Sequence, residues 1–244
     1  MITNLRILLD GFFVADKSLL TYGRNFGVKY PLHIKSLLVQ TERENILIDT
    51  GMSGYSEAWK VTKTTTLLGS LAEAGLAPED ITMVINTHLH LDHCGHNSAF
   101  SQATFYCQRK ELISARNPPR IFRPSYKRPI FDQVKYTVLD KDTKLSEDIE
   151  LLFTPGHSVG HQSVLLHAPG QDYLYCGDVC PLRENYLYRL IPAIKVNTLE
   201  LEASLERLKS IPALPIFSHD KDQLTLDYPP KEKPKDATAE PPTP

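Results

Sequence analysis

The sequence lacks the features that would place a protein in a membrane, outside the cell or on nucleic acid. None of its apolar runs reaches the roughly 18 residues that suggest a membrane-spanning helix. Residues 1–7 lack the basic and then apolar order of a signal peptide. The net charge of −2 provides no general basic field for nucleic acid. These absences predict a cytoplasmic protein with no membrane partner and argue against a nucleic-acid partner.

Cysteine is scarce, and no nucleotide-binding motif is present. The chain has four cysteines, which are expected to stay reduced without a secretion signal. Three residues separate Cys176 from Cys180, and these thiols are expected to be small apolar side chains rather than a structural zinc pair. Neither a P-loop nor the glycine fingerprint of a nicotinamide site occurs.

One stretch, THLHLDH from Thr87 to His93, holds three imidazoles and a carboxylate in six consecutive positions. Neutral imidazole and carboxylate suit zinc, iron, manganese and cobalt. If this stretch is a turn after a strand, His88 and His90 can face one point while Asp92 and His93 face another. Four side chains cannot complete two metal sites, so further ligands must come from elsewhere in the chain.

Three more candidate ligands each stand where a hydrophobic strand ends and a loop begins: His157, Asp178 and His219. The remaining histidines are expected to have structural roles: His33, His96, His161 and His167. His161 is a partial exception, because it closely follows His157 and could supply a hydrogen bond that orients a ligand.

This order of residues resembles the metallo-β-lactamase superfamily: His-x-His-x-Asp-His, then a lone His, then Gly-Asp, then a lone His. Residues 46–51, ILIDTG, are similar to the early strand and turn of that family. Asp49 in this turn is expected either to accept a hydrogen bond from a metal ligand or to stabilise the turn. The resemblance covers nearly the whole chain. It implies a four-layer αββα sandwich, whereas the pattern alone indicates only mixed α and β. It also implies two groups of metal ligands: His88, His90 and His157 in one, and Asp92, His93 and His219 in the other, with Asp178 bridging them.

Within the superfamily the chain is most similar to the N-acyl-homoserine lactonases, the quorum-quenching type. The similarity is carried by four stretches: residues 88–97, 154–163, 177–178 with 183–185, and 217–220. Those lactonases typically place a tyrosine three residues after the bridging aspartate, where it helps to bind the substrate carbonyl. Here that position is Pro181, and the sequence leaves open whether another tyrosine replaces it: Tyr106, Tyr186 or Tyr188.

The resemblance implies a hydrolase with two divalent metal ions, expected to be zinc, with iron, manganese or cobalt as alternatives. Such ions lower the pKa of a bridging water, and the resulting hydroxide would open a lactone ring. Asp92 and Asp178 are the expected catalytic residues, with Asp92 passing a proton to the leaving alkoxide. The expected partner is a small-molecule lactone or ester, and a homodimer is left open. The alternatives are a thioesterase or phosphodiesterase of the same superfamily, or a non-catalytic metal-binding protein.

The rest of the pattern predicts a single catalytic domain over residues 1–226. Strands are expected over residues 5–15, 33–49 (with a polar turn at 42–45), 81–86, 103–107, 134–139, 149–154, 162–167, 172–176 and 214–217. Helices are expected over residues 64–75, 108–116 and 197–210, the last opened by a capping box at Asn197 and Glu200.

Two segments fall outside this regular pattern. Residues 117–133 combine four prolines with basic and aromatic side chains. This indicates either a surface loop or a functional segment, which would be a lid or a wall of the substrate pocket. Residues 227–244 are rich in proline and charge and are expected to form a flexible tail.

Overall fold

The computed structural model describes residues 1–53, 61–62, 65–226 and 228–229. Within these residues the strands form two sheets. The first sheet has six strands in chain order: β1 (Ile2–Asp16), β2 (Lys29–Thr41), β3 (Asn45–Ile48), β4 (Met83–Ile85), β5 (Thr104–Gln108) and β6 (Tyr136–Leu139). The second has five: β7 (Thr143–Lys144), β8 (Ile149–Phe153), β9 (Gln162–Ala168), β10 (Gln171–Tyr175) and β11 (Leu214–Ile216).

The described helices lie between these strands: α1 (Leu67–Glu73), α2 (Leu91–Cys94), α3 (Arg109–Arg116), α4 (Arg128–Phe131), α5 (Arg183–Tyr188) and α6 (Thr198–Lys209). Residues Arg120–Ser125 form a 3₁₀ helix inside the proline-rich segment. None of the helices in the described ranges is long and apolar enough to cross a bilayer.

The two sheets pack face to face because their strands are apolar on both faces. Leu37 of β2 lies in the core shared with the second sheet, whereas its neighbour Leu38 points the other way and packs with Leu71 of α1. In the second sheet, Leu174 of β10 packs with Leu205 of α6. The layers therefore run helix, sheet, sheet, helix, which confirms the predicted αββα sandwich.

The direction of the strands brings several loops to one edge of this sandwich. Strands β3 and β4 are parallel, so the loops that carry Asp49 and His88 leave the first sheet on the same side. Strands β8 and β10 both run antiparallel to β9, and β11 runs parallel to β10. The segments that carry His157, Asp178 and His219 therefore leave the second sheet together.

The predicted elements are observed with small shifts in their ends. The predicted strand over 33–49 is two strands, β2 and β3, separated by the predicted polar turn. Helix α1 begins after Thr66, whose hydroxyl accepts from the Gly69 N–H; residue 64, the predicted start, lies outside the described residues. Asn197 caps α6 as predicted and accepts from the N–H groups of Leu199 and Glu200. Its own N–H donates to the Gly156 carbonyl at 3.0 Å and not to Glu200, so the second half of the predicted capping box is not formed.

The expected flexible tail, residues 227–244, falls mostly outside the described residues and stays a prediction. Tyr228 is described, and it packs against the sandwich. Its hydroxyl donates to the carbonyl of Ile2 at 3.2 Å, and its ring meets that of Tyr173 edge-on with 5.8 Å between centroids.

These contacts predict where the chain can be shortened. A chain that ends at residue 229 should melt at the temperature of the full chain. A chain that ends at residue 226 should melt lower by roughly 2–8 °C, because a half-buried tyrosine contributes on the order of 1–2 kcal/mol. Tyr228→Ala in the full chain is the matched control for calorimetry. Equal melting of the two shortened chains would show that the Tyr228 contacts add no stability.

Candidate metal centre

The structure brings all seven predicted site residues together at the edge where the loops meet. Three overlapping groups have donor atoms within 4.8 Å of one another: His88, His90 and His157; His88, His93 and Asp178; and Asp92, His93 and His219. All seven are buried except Asp92, whose side chain is 22% exposed. Two of these three groups consist of residues that the sequence resemblance assigned to a single metal ion.

The first group is a triangle of imidazole nitrogens. His90 Nδ1 lies 2.9 Å from His88 Nε2 and 3.1 Å from His157 Nε2. Burial lowers the pKa of His88 and of His90 well below the usual range, and it lowers that of His157 as well. The rings are therefore neutral, and neutral imidazole is the form that coordinates a metal ion.

Acceptors outside the centre determine which nitrogen of several rings points inward. Three imidazoles have Nδ1 against such an acceptor: His157 at the carbonyl of Ile194 (2.8 Å), His219 at the carbonyl of His33 (2.7 Å) and His93 at the carboxylate of Asp49 (2.8 Å). A ring that donates its proton from Nδ1 keeps a lone pair on Nε2. These contacts therefore aim lone pairs at the centre, as outer partners do for metal-binding histidines.

Asp178 lies between the two groups. Its Oδ2 is 3.4 Å from His157 Nε2, while its Oδ1 is 3.2 Å from His219 Nε2 and 3.4 Å from His93 Nε2. The Ser218 hydroxyl donates to Oδ1 at 2.7 Å. Burial acts to raise the pKa of Asp178, but the three imidazoles hold it well below its usual range. A carboxylate with one oxygen toward each group is placed to bridge two cations.

His93 provides the test of whether a cation fits. Its Nε2 is buried and has no hydrogen-bond partner in the described part of the chain, the oxygen of Asp178 at 3.4 Å being too far. Burial acts to lower the pKa of His93, yet the carboxylates of Asp178, Asp92 and Asp49 raise it well above the usual range. The carboxylates thus favour positive charge at a buried nitrogen that has no hydrogen-bond partner, and a divalent cation can supply that charge, so the residues fit a metal centre.

The turn at Asp49 holds the histidine-rich loop in place. Asp49 has a positive φ of 60° and accepts from both the N–H (2.8 Å) and the hydroxyl (2.9 Å) of Thr87, in addition to its contact with His93. Gly95 packs so tightly here that a Cβ would lie 2.6 Å from the Gly51 carbonyl oxygen. Asp49 therefore has both of the roles that the sequence left open.

His161 orients Asp178, as its sequence position suggested. The N–H of Asp178 donates to His161 Nε2 at 3.0 Å, and His161 Nδ1 lies 2.9 Å from the Thr154 hydroxyl. A Cβ on Gly177 would come within 2.5 Å of the His161 ring, so only glycine permits this approach. His96 and His167 pair instead with Asp10 and Asp172 away from the centre.

Next to the centre is a cavity with an empty volume of about 690 Å³, which includes open solvent at its mouth. Five of the seven candidate ligands line it: His90, Asp92, His157, Asp178 and His219. The other described lining residues are apolar, with one exception at Ser125. Pro124 and Ser125 come from the proline-rich segment, so that segment contributes to the wall of the cavity.

None of the three tyrosines that the sequence left open is among the described residues that line the cavity. Tyr106 packs at the core between the sheets, Tyr186 packs on Phe217, and Tyr188 is 68% exposed. Pro181 does line the cavity, and its carbonyl accepts from the backbone N–H of His219 at 3.0 Å.

Sequence reasoning missed two buried charged residues that support the centre, Glu111 and Lys35. Glu111 accepts from segments that flank His88, His90 and His157. The Lys35 ammonium donates to the carbonyls of Asp220 and Gln223 at 2.7 Å each and so fastens the loop after His219. In the sequence, each of the two appears only as a charged residue at a core-facing position of a helix or strand. Charged side chains in such patterns are usually solvated, so neither residue stood out.

Comparison with known proteins gives a consistent result. Residues 30–219 match the model of the metallo-beta-lactamase superfamily. An N-acyl homoserine lactonase of Bacillus cereus is 30% identical over 234 residues, covering 87% of this chain and 91% of the relative. A probable metallo-hydrolase of Methanocaldococcus jannaschii is 36% identical over 145 residues, covering 59% of this chain and 58% of the relative. A solved N-acyl homoserine lactone hydrolase, with the product N-hexanoyl-L-homoserine at its catalytic metal centre, superposes with a TM-score of 0.80 at 25% identity, covering 91% of this chain and 95% of that one.

The role of Asp49 predicts a loss of metal affinity when its charge is removed. Asp49→Asn should weaken metal binding by roughly 10–100-fold, because an amide is a poorer acceptor for the His93 N–H. The measurement is a competition titration with a chromophoric chelator, with circular dichroism to confirm folding. Asp172→Asn, which changes a half-exposed acid paired with His167, is the matched control. Equal affinity in the wild type and Asp49→Asn would contradict this role.

Lys35 predicts a pH dependence of stability. Burial lowers the pKa of Lys35 from its ordinary value of 10.5 to about 7, although Asp220 acts against this. Between these two values the folded chain binds fewer protons at Lys35 than the unfolded chain, so its free energy of unfolding rises with pH in this window. The melting temperature of the wild type should therefore rise from pH 7 to 9.5 relative to that of Lys35→Met. A difference that does not change with pH would show that Lys35 keeps its ordinary pKa.

Proposed function

The chain belongs to the metallo-β-lactamase superfamily, and on that premise we propose that it is a dinuclear metal-dependent hydrolase that opens the lactone ring of N-acyl homoserine lactones. The observation that carries this proposal is the cluster of seven donors beside a largely apolar cavity, in which one Asp178 oxygen lies near His157 and the other lies near His93 and His219. The lactonase of Bacillus cereus, similar over most of both chains, supports the choice of substrate.

We assign the donors to two divalent ions, with zinc as the proposed metal. One ion would be held by His88, His90 and His157, the other by Asp92, His93 and His219, and Asp178 would be the ligand common to both. Nitrogen and carboxylate donors of this kind suit zinc, and cobalt, iron and manganese accept the same set. When bound, two such ions supply a water of lowered pKa and a polarised substrate carbonyl.

The protein's own part in the reaction is to orient the ester and to move a proton. Ring opening adds the elements of water across the ester: the carbonyl carbon gains an oxygen, the bond to the ring oxygen breaks, and that oxygen takes a proton. Asp92 lines the cavity and is the most exposed of the seven donors. We propose that its carboxylate carries this proton to the leaving alkoxide. We also propose that Asp178 fixes the position of one donor group relative to the other.

The wall of the cavity favours a neutral ester with an apolar arm over the alternative substrates. Side chains such as Phe13, Leu32 and Ile194 line it and would bury an acyl chain. No lysine or arginine is among its described lining residues, whereas a phosphodiester would call for cationic partners. The basic residues near 120–128 therefore do not argue for a phosphodiesterase. A thioesterase remains the alternative that uses the same centre, and a non-catalytic metal-binding protein is disfavoured by the cavity beside the centre.

A cytoplasmic location stays a prediction from the sequence, and we propose no homodimer.

The proposal predicts proton release when zinc- or cobalt-loaded protein is mixed with N-acyl homoserine lactones. Turnover should stop on chelation and return when metal is restored. Asp178→Ala should hold fewer than two metals per chain by elemental analysis and should show no turnover, because both groups lose a shared donor. His167→Ala, a change at a surface pair, is the control and should behave as the wild type.

Two results would overturn the proposal. Protein that holds two metals per chain and turns over no lactone, but cleaves a thioester or bis-p-nitrophenyl phosphate, would be one of the alternative hydrolases. Two metals per chain in Asp178→Ala would refute the bridging assignment, whatever the activity of the variant.

A further inference from the structure

Among the described residues, the wall of the cavity contains a single polar side chain that is not a candidate ligand. Of the described residues that line it, ten are apolar, five belong to the metal centre, and the remaining one is Ser125. Ser125 is half-buried, and its hydroxyl makes no hydrogen bond within the described part of the chain. A hydroxyl can both donate and accept, so it is free to bind a polar group of a ligand.

The proposed substrate has one polar group for which the metal centre provides no hydrogen-bond partner. Its ester is the reacting group, and its acyl chain matches the apolar wall. The amide that joins the two must leave water when the substrate enters the cavity, and a buried amide without a partner is costly. Among the described lining residues outside the centre, Ser125 alone has a side chain that can satisfy that amide.

The position of Ser125 is tied to the metal centre through its neighbour. The hydroxyl of Tyr126 donates to Glu111 Oε1 at 3.1 Å, and the Tyr126 ring meets that of His90 edge-on with 4.7 Å between centroids. Glu111 is fully buried, although α3, on which it lies, is otherwise rich in exposed charge. The contacts of Tyr126 therefore restrain the end of the 3₁₀ helix that carries Ser125.

Glu111 in turn joins the segments that carry the candidate ligands. Its Oε1 accepts from the N–H of Leu89, between two of the histidines, at 3.0 Å. Its Oε2 accepts from the Ser158 hydroxyl at 2.6 Å and from the Gly160 N–H at 3.0 Å, both just after His157. The serine and the metal centre thus share one rigid support, which is what a residue that orients a substrate requires.

We propose that Ser125 is the specificity-determining residue of the cavity: its hydroxyl binds the amide of an acylated lactone, and the Tyr126–Glu111 pair holds it in position. This inference rests on the proposed lactonase function and names the part of the substrate that the cavity recognises. It makes the amide, and not only the length of the acyl chain, a determinant of substrate choice.

The test compares two lactones that differ only at the amide. One is N-hexanoyl homoserine lactone, and the other is an α-alkyl-γ-butyrolactone of equal length in which methylene groups replace the amide. In Ser125→Ala, kcat/KM for the amide substrate should fall roughly 10-fold, the usual effect of one hydrogen bond to an uncharged group. The value for the alkyl lactone should change less than about 2-fold, since it never used the hydroxyl.

Two further measurements separate recognition from a general disturbance. Tyr126→Phe keeps Ser125 but removes the tie to Glu111, so it should lower the preference for the amide substrate in the same direction. Binding of the ring-opened product, N-hexanoyl-homoserine, to the metal-loaded protein should weaken in Ser125→Ala by a similar factor in calorimetry.

The outcomes distinguish this inference from the function on which it rests. If the wild type hydrolyses both lactones and Ser125→Ala lowers both equally, or neither, Ser125 does not recognise the amide and the inference is wrong. If the wild type, holding two metals, hydrolyses neither lactone, the proposed function fails and this inference fails with it.

Discussion

The structure depends on one constraint: imidazole lone pairs and carboxylate charges must face each other at a buried point that little water reaches. Burial disfavours charge on each of these groups, and an unsatisfied donor or acceptor there is costly. The fold offsets the cost with outer acceptors that engage the second nitrogen of a ring, such as the carbonyls of Ile194 and His33 and the carboxylate of Asp49. These acceptors come from segments far from their partners in sequence, so the inward arrangement requires both sheets to be in place.

The sandwich meets this constraint by letting strands end at a common edge. Parallel strands in the first sheet deliver Asp49 and His88, and the second sheet delivers His157, Asp178 and His219 from the opposite side. Four of the donors stand three or four residues beyond the end of a hydrogen-bonded strand: His88, His157, Asp178 and His219. Rigid strand ends can hold such a centre more accurately than long loops could.

This arrangement explains what the sequence could and could not predict. The strands are visible as short apolar runs, and the seven candidate donors as histidines and aspartates that match the order of the family resemblance. Glu111 and Lys35 appear in sequence as ordinary charged residues of a helix and a strand, and only tertiary contacts make them buried anchors. Pro181 was visible as a departure, but spacing does not determine which side chain on another element reaches the cavity. Ser125 could not be identified for that reason.

The segment over 117–133 shows how substrate recognition can be separated from chemistry in this fold. Its prolines remove backbone donors and discourage regular structure, so it is free to present Pro124 and Ser125 to the cavity while the donors remain on strand ends. Without a restraint, such a segment would adopt too many conformations to orient a substrate. The hydrogen bond from Tyr126 to Glu111 supplies that restraint, and Glu111 also accepts from the segments of the histidine-rich loop and of His157. Glu111 is therefore the point at which the wall of the cavity and the metal centre are mechanically coupled.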